Sequence, residues 1–162
     1  MAVHRLNLEE DEEDFALFAI HCGEAPFKLA FLMNQNLNWQ LKREREDLQI
    51  EKGGMQQEYP CYRYVSKHDQ VDHLLLSNIF MGDQTQSPGD QMGLFGTMST
   101  PTANANYLMP EFKKVDYLLK IETAIGEAQA KALVQQIKSI KEVVSTYSIP
   151  LSKIKNINHL NR

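Results

Sequence analysis

Eight consecutive residues, Phe15 to Cys22 (FALFAIHC), set the first limit on what this chain can become. Apolar side chains stand at almost every position, so a strand here carries them on both of its alternating faces. Such a strand suits the middle of a sheet, covered on both sides at least in part. The chain around it has 162 residues, the length of one ordinary domain with one sizeable core.

The segments on either side supply the rest of that core. Val3 to Leu8 alternates and is expected to form a short first strand. After Cys22, Glu24 and Pro26 suit a first helical turn, and Phe27, Ala30, Met33 and Leu37 recur at helical spacing, flanked by Leu29 and Leu32. The cluster Asn34-Gln35-Asn36 is expected to end that helix. Asn38 to Glu46 then alternates as a half-exposed strand that turns charged; Lys42, Arg43 and Arg45 there would protect an edge from strand-to-strand aggregation. The stretch EKGGMQQE reads as a loop.

From Tyr59 to Phe80 the pattern is a hairpin, with Tyr62 and Tyr64 on one face and Cys61, Arg63 and Val65 on the other. Its turn falls near Lys67 to Gln70. Residues 81–106 lack a sustained period and read as a long mobile loop. In VDYLLKIET, Val115, Tyr117, Leu119 and Ile121 are expected in the core, with Asp116, Leu118, Lys120 and Glu122 on a more exposed side. Residues 126–143 form the strongest helix pattern, with Ala130, Leu133, Ile137 and Ile140 on one stripe. Val143 to Ile149 is a last strand, stopped by Pro150.

Two strand–helix–strand units thus surround a hairpin. The expected class is α+β: a mostly antiparallel sheet with two helices packed on one face, in a ferredoxin-like or related sandwich. Residues 1–150 would form this single domain and residues 151–162 a basic C-terminal tail, extended or briefly helical, lying on the body.

Charge is divided unevenly. Residues 1–109 carry 8 Lys and Arg against 16 Asp and Glu, whereas residues 110–162 carry 9 against 5. The positive charge is spread thinly and lacks interleaved aromatics, so nucleic-acid binding is not expected. No apolar run is long enough to cross a bilayer, and the opening residues turn acidic at once instead of forming a secretory signal; a cytoplasmic protein is expected. Cys22 and Cys61 lie inside apolar patterns and read as buried free thiols. The five histidines are scattered, and no metal site or cofactor is expected. The glycine-containing stretches match no phosphate-binding loop.

One stretch stands apart: Met109-Pro110-Glu111-Phe112-Lys113-Lys114-Val115-Asp116-Tyr117. Pro110 fixes φ and keeps Met109 out of a helix. Glu111 could cap the N–H groups of a turn or pair with Lys113 or Lys114. Tyr117 would bury its ring and send its hydroxyl to a partner. A second use of the same geometry is a binding edge, with Glu111, Asp116 and Lys120 lining a polar strip beside a strand that accepts a partner. A third is an acid/base pair of Glu111 and Asp116 with His68 or His73 nearby, although no spacing rule joins them.

The stretch resembles the signature of the IPExxxVDY family, small proteins of the Bacteroidota. Pro110, Glu111, Val115, Asp116 and Tyr117 occupy signature positions, and Met109 stands where the signature has isoleucine. MAVHRLNL, EEDFALFAIHC, FKLAFLMNQNL and VDYLLKIE are similar to that family too, so the resemblance covers most of the chain. It implies membership and names no reaction.

The leading expectation is a protein-interaction or adaptor module, with Lys113, Lys114, Lys120, Lys42 and Arg43 as candidate binding residues and a protein partner. The alternative is a small-molecule-binding regulatory module, and an enzyme using Glu111 and Asp116 comes last. Oligomeric state is left open.

Overall fold

The computed structural model describes residues 14–80 and 107–161. The expected strand Val3 to Leu8 and loop 81–106 lie outside the described residues. In chain order the elements are β1 (Ala16–Cys22), α1 (Pro26–Leu37), β2 (Lys42–Arg43), β3 (Leu48–Lys52), β4 (Met55–Tyr59), β5 (Cys61–Val65), β6 (Asp72–Ser77), β7 (Tyr117–Ile121), α2 (Glu127–Lys138) and β8 (Val143–Ile149). Short 3-10 turns occupy Pro110–Phe112, Leu151–Lys153 and Ile157–Leu160.

Six strands form one sheet in the order β2-β5-β6-β7-β1-β8, every neighbouring pair antiparallel. The chain from β1 through α1 passes over β7 before reaching β6, and the chain from β7 through α2 passes over β1 to reach β8. Two interleaved crossovers of this kind are the split β-α-β arrangement of a ferredoxin-like sheet. The α+β class expected from the sequence is therefore the one observed. The departure is an insertion between α1 and β6: β5 and β2 lengthen the sheet, while β3 and β4 form a separate hairpin.

The doubly apolar β1 explains the layers. Phe18, Ile20 and Cys22 pack with Leu29, Ala30, Met33, Leu133 and Ile137 under the two helices. Phe15, Leu17 and Ala19 point the other way, into a second core. That core is roofed by Leu48 and Tyr59 of the β3–β4 hairpin, by Leu108, Met109 and Val115 around the 109–117 stretch, and by Leu160 of the C-terminal arm. In the roof the Tyr59 hydroxyl, its pKa pushed up to about 12 by burial, donates to Gln57 Oε1 at 2.8 Å.

The roof overturns one expectation. Leu118 and Lys120, assigned to an exposed side of β7, are both buried, and Lys120 is 2 % exposed. The arm and the 109–117 stretch cover this face, a long-range effect that strand alternation does not reveal. Lys120 Nζ pairs with Glu122 at 2.9 Å, donates to the Leu160 carbonyl at 3.3 Å and lies 5.0 Å from the centre of the Phe15 ring.

Three further differences have local causes. The stretch read as a loop is the β3–β4 hairpin: Gly53 and Gly54 take φ of 59° and 77°, the two left-handed positions that a tight hairpin turn demands. The strand expected over residues 38–46 shrinks to Lys42–Arg43. Asn38 turns left-handed at φ 55°, and the Asn34 side chain holds Leu41 through both its N–H (2.8 Å) and its carbonyl (3.0 Å). The helix α1 runs through the Asn34-Gln35-Asn36 cluster and buries Leu29, Ala30 and Met33, a face that leaves Phe27 68 % exposed instead of in the core. Finally, α2 stops at Lys138, short of the expected 143, although Ile140 beyond it is buried.

Candidate functional site

Pro110, Glu111, Val115, Asp116 and Tyr117 of the 109–117 stretch each pack or bond inside the fold. Pro110 opens the 3-10 turn, and Val115 is buried in the second core. Asp116 Oδ2 accepts the Cys22 N–H at 2.9 Å, fastening the end of β1. The Tyr117 ring lies in the helix-side core and its hydroxyl donates to the Glu24 carbonyl just before α1. Burial, with help from neighbouring negative groups, raises the pKa of that hydroxyl, so it remains a donor.

Glu111 does cap backbone N–H groups, but those of the distant arm. Its carboxylate accepts Lys155 N–H at 2.8 Å, Asn156 N–H at 3.1 Å and Asn156 Nδ2 at 3.0 Å. Partial burial pushes the Glu111 carboxyl up, yet the hydrogen bonds from its own backbone, Lys155 and Asn156 outweigh this and hold it below the usual carboxylate range. Glu111 is thus committed to the arm and Asp116 to β1, and neither lines the cleft described below.

Sequence reading missed the residue that organises this loop. Asn78, directly after β6, is fully buried. Its Nδ2 donates to the Phe112 and Val115 carbonyls and its Oδ1 accepts the Met109 N–H, all at 2.9 Å. Its backbone also exchanges bonds with Leu108 and Asp116. An asparagine directly after the strand run Leu74-Leu75-Leu76-Ser77 was the available signal.

Of the candidate binding residues, Lys113 and Lys114 are exposed, and so are Lys42 and Arg43 on β2. Arg43 binds Asp47 at 2.6 Å and stands 5.6 Å from the Tyr62 ring centre. Lys120 is excluded by its burial. The edge that the stretch was expected to offer does not exist, because β7 is paired on both sides, to β6 and β1.

Two other features remain open. The first is the outer edge of β8. Among the described residues no strand pairs with it. Its seven residues, VVSTYSI, include no charge, and Val144 and Tyr147 are 77 % and 45 % exposed. The opposite sheet edge, β2, is only two residues long and both are charged. Short, charged edges resist pairing and long, uncharged ones invite it.

The second is a cleft of about 570 Å³ on the helix side, between α2 and the β5–β6 turn. Trp39, Asp69, His73, Thr123, Gln129 and Gln136 are on its walls. His73 packs edge-on against Trp39 with ring centroids 4.8 Å apart and lies 5.4 Å from Tyr64, which itself stacks on Trp39 at 5.8 Å. Tyr64 and His73 are direct cross-strand partners. A hairpin centred on residues 67–70 implies that pairing, so this part of the cleft was legible in the sequence.

His73 Nδ1 lies 3.0 Å from the Val71 carbonyl, so Nδ1–H donates and the neutral ring keeps its lone pair on Nε2. Burial lowers the His73 pKa, against the opposing pull of the Val71 carbonyl, Asp69 and Asp72. At the mouth, a hydrogen bond from Ser66 holds the Asp69 carboxyl low, and it is an anion.

Cys22 and Cys61 are both buried, and neither is in a disulfide. Among the described residues no three His, Cys, Asp or Glu are grouped to hold a metal, and no helix is long and apolar enough to cross a membrane. No family model, curated protein or solved structure matches the chain.

Proposed function

We propose that the chain is a protein-interaction module whose docking surface is the outer edge of β8, where an extended segment of a partner adds as a further strand. The observation that carries this reading is the contrast between the two sheet edges: β2 is short and charged, β8 is seven residues long and uncharged. About half the residues of an edge strand turn N–H and C=O outward, and these groups supply affinity while side chains such as Val144 and Tyr147 supply selectivity. The partner segment is therefore extended and rich in β-branched or aromatic residues. Its seat differs from the one expected at 109–117, because β7, which that stretch leads into, is already paired on both sides.

Membership of the IPExxxVDY family belongs to the same proposal and is supported by Pro110, Glu111, Val115, Asp116 and Tyr117. Work in the cytoplasm is supported by two unbridged thiols, Cys22 and Cys61.

The test is a photo-cross-linking residue at Ser148, exposed on β8, in cells producing the full chain. The expected result is an adduct that maps to an extended partner segment and disappears when Val144 and Tyr147 are both changed to lysine. Cross-links confined to residues 1–13 of the same chain would show that the edge is used internally and would overturn the reading, as would the absence of any adduct.

A further inference from the structure

We propose that the cleft between α2 and the β5–β6 turn binds a flat, uncharged or cationic nitrogen heterocycle, such as a free nucleobase, and rejects its phosphorylated forms. The geometry of the walls selects each property of the ligand.

A volume of about 570 Å³ is that of a small-molecule site. Trp39 and the His73 ring supply an aromatic wall for a planar ring. His73 is committed as a donor at Nδ1, so its free Nε2 is an acceptor and calls for a ligand N–H. Across the cleft, Gln129 and Gln136 stand on one stripe of α2, each with an amide that donates and accepts, and Thr123 adds a hydroxyl. Adjacent donors and acceptors in one plane are the property of a nucleobase edge, and primary amides pair with such edges.

Charge decides the remainder. Among the described residues the walls carry one carboxylate, Asp69, and no lysine or arginine. A phosphate or a free carboxylate would find no cation and would face Asp69, so nucleotides, acyl thioesters of phosphorylated carriers and free amino acids are disfavoured. A neutral or protonated base meets no such penalty. This inference is independent of the β8 edge, which lies at the far side of β1 and β7 from the β5–β6 hairpin.

Trp39 is the only tryptophan of the chain, so its fluorescence reports on this cleft alone. The experiment titrates the full chain with adenine, cytosine and benzimidazole, with AMP as the charged control. The expected result is a saturable change in Trp39 emission with at least one of the bases and at least tenfold weaker binding of AMP. His73→Phe keeps a ring against Trp39 and Tyr64 but removes the Nε2 acceptor, and should weaken binding about tenfold. Gln129→Ala/Gln136→Ala, on the exposed face of α2, should do the same without touching the core. No saturable response to any of the three bases, AMP binding as well as adenine, or undiminished binding by both variants would each overturn the proposal.

Discussion

Replacing Asn78 by alanine should cost the fold about 3–4 kcal/mol, a large share of the roughly 5–15 kcal/mol that holds an ordinary domain together. The magnitude follows from what the side chain leaves behind. The Met109 N–H and the Val115 carbonyl lose the partner that Asn78 supplied in a site closed to water, and each orphaned group costs roughly 1–3 kcal/mol. The Phe112 carbonyl fares better, because it still accepts the Val115 N–H at 3.0 Å; its loss is that of one ordinary hydrogen bond, about 0.5–1.5 kcal/mol. Partial relaxation of the loop keeps the total below the sum of the upper limits. Urea unfolding reads this as a lower midpoint with an unchanged slope. Asn78→Asp separates donor from acceptor: it retains the bond from Met109 N–H but sets a carboxylate against two carbonyls, and at neutral pH should be at least as destabilising. If Asn78→Ala unfolds within about 1 kcal/mol of the parent, the loop is held by the packing of Met109 and Val115 and the hydrogen-bond argument fails.

Two further outcomes follow from the same stretch. Tyr117→Ala should cost roughly 3–5 kcal/mol for a buried aromatic, and Tyr117→Phe only about 1 kcal/mol for the bond to the Glu24 carbonyl; equal melting of the parent and the alanine variant would remove Tyr117 from the core. Glu111 should make docking of the arm acid-sensitive. Its pKa is lower in the folded chain, so its contribution is complete above the ordinary glutamate value of about 4.3 and is lost as pH falls through the depressed folded value. Glu111→Gln should therefore be less stable than the parent at pH 7, with the gap closing in acid; a gap that stays constant with pH would show that the carboxylate charge is not what holds Lys155 and Asn156.

How far the sequence reveals this molecule depends on the range of the interaction involved. β8 ends where Pro150 forces it to, the β5–β6 hairpin falls where its alternation puts it, and β1 is central because both of its faces are apolar. These are properties of neighbours in sequence. The second core is different. Lys120 is covered by Leu160, forty residues away, and Glu111 is bound by Lys155 and Asn156, so no window around either residue contains the cause. The β3–β4 hairpin was hidden for another reason: its strands are largely polar, and only the pair Gly53-Gly54 marked it. The phase of α1 is set by which of its apolar residues meet the sheet: Leu29, Ala30 and Met33 do, and Phe27 is left outward.

The same distinction bears on where function lies. A distinctive stretch such as 109–117 draws attention because its residues are unusual together, yet each unusual residue satisfies a demand of the fold. Asp116 closes β1, Tyr117 anchors the approach to α1, and Glu111 seats the arm. A residue whose hydrogen bonds are fully spent internally has none to offer a ligand. The groups with capacity left are ordinary in sequence: the His73 Nε2, the glutamines of α2 and the backbone of a strand reading VVSTYSI. Unspent bonding capacity, rather than distinctiveness of sequence, is what the two proposals share: one seats a small molecule in the cleft beside β6 and β7, the other a partner strand on the outer edge of β8.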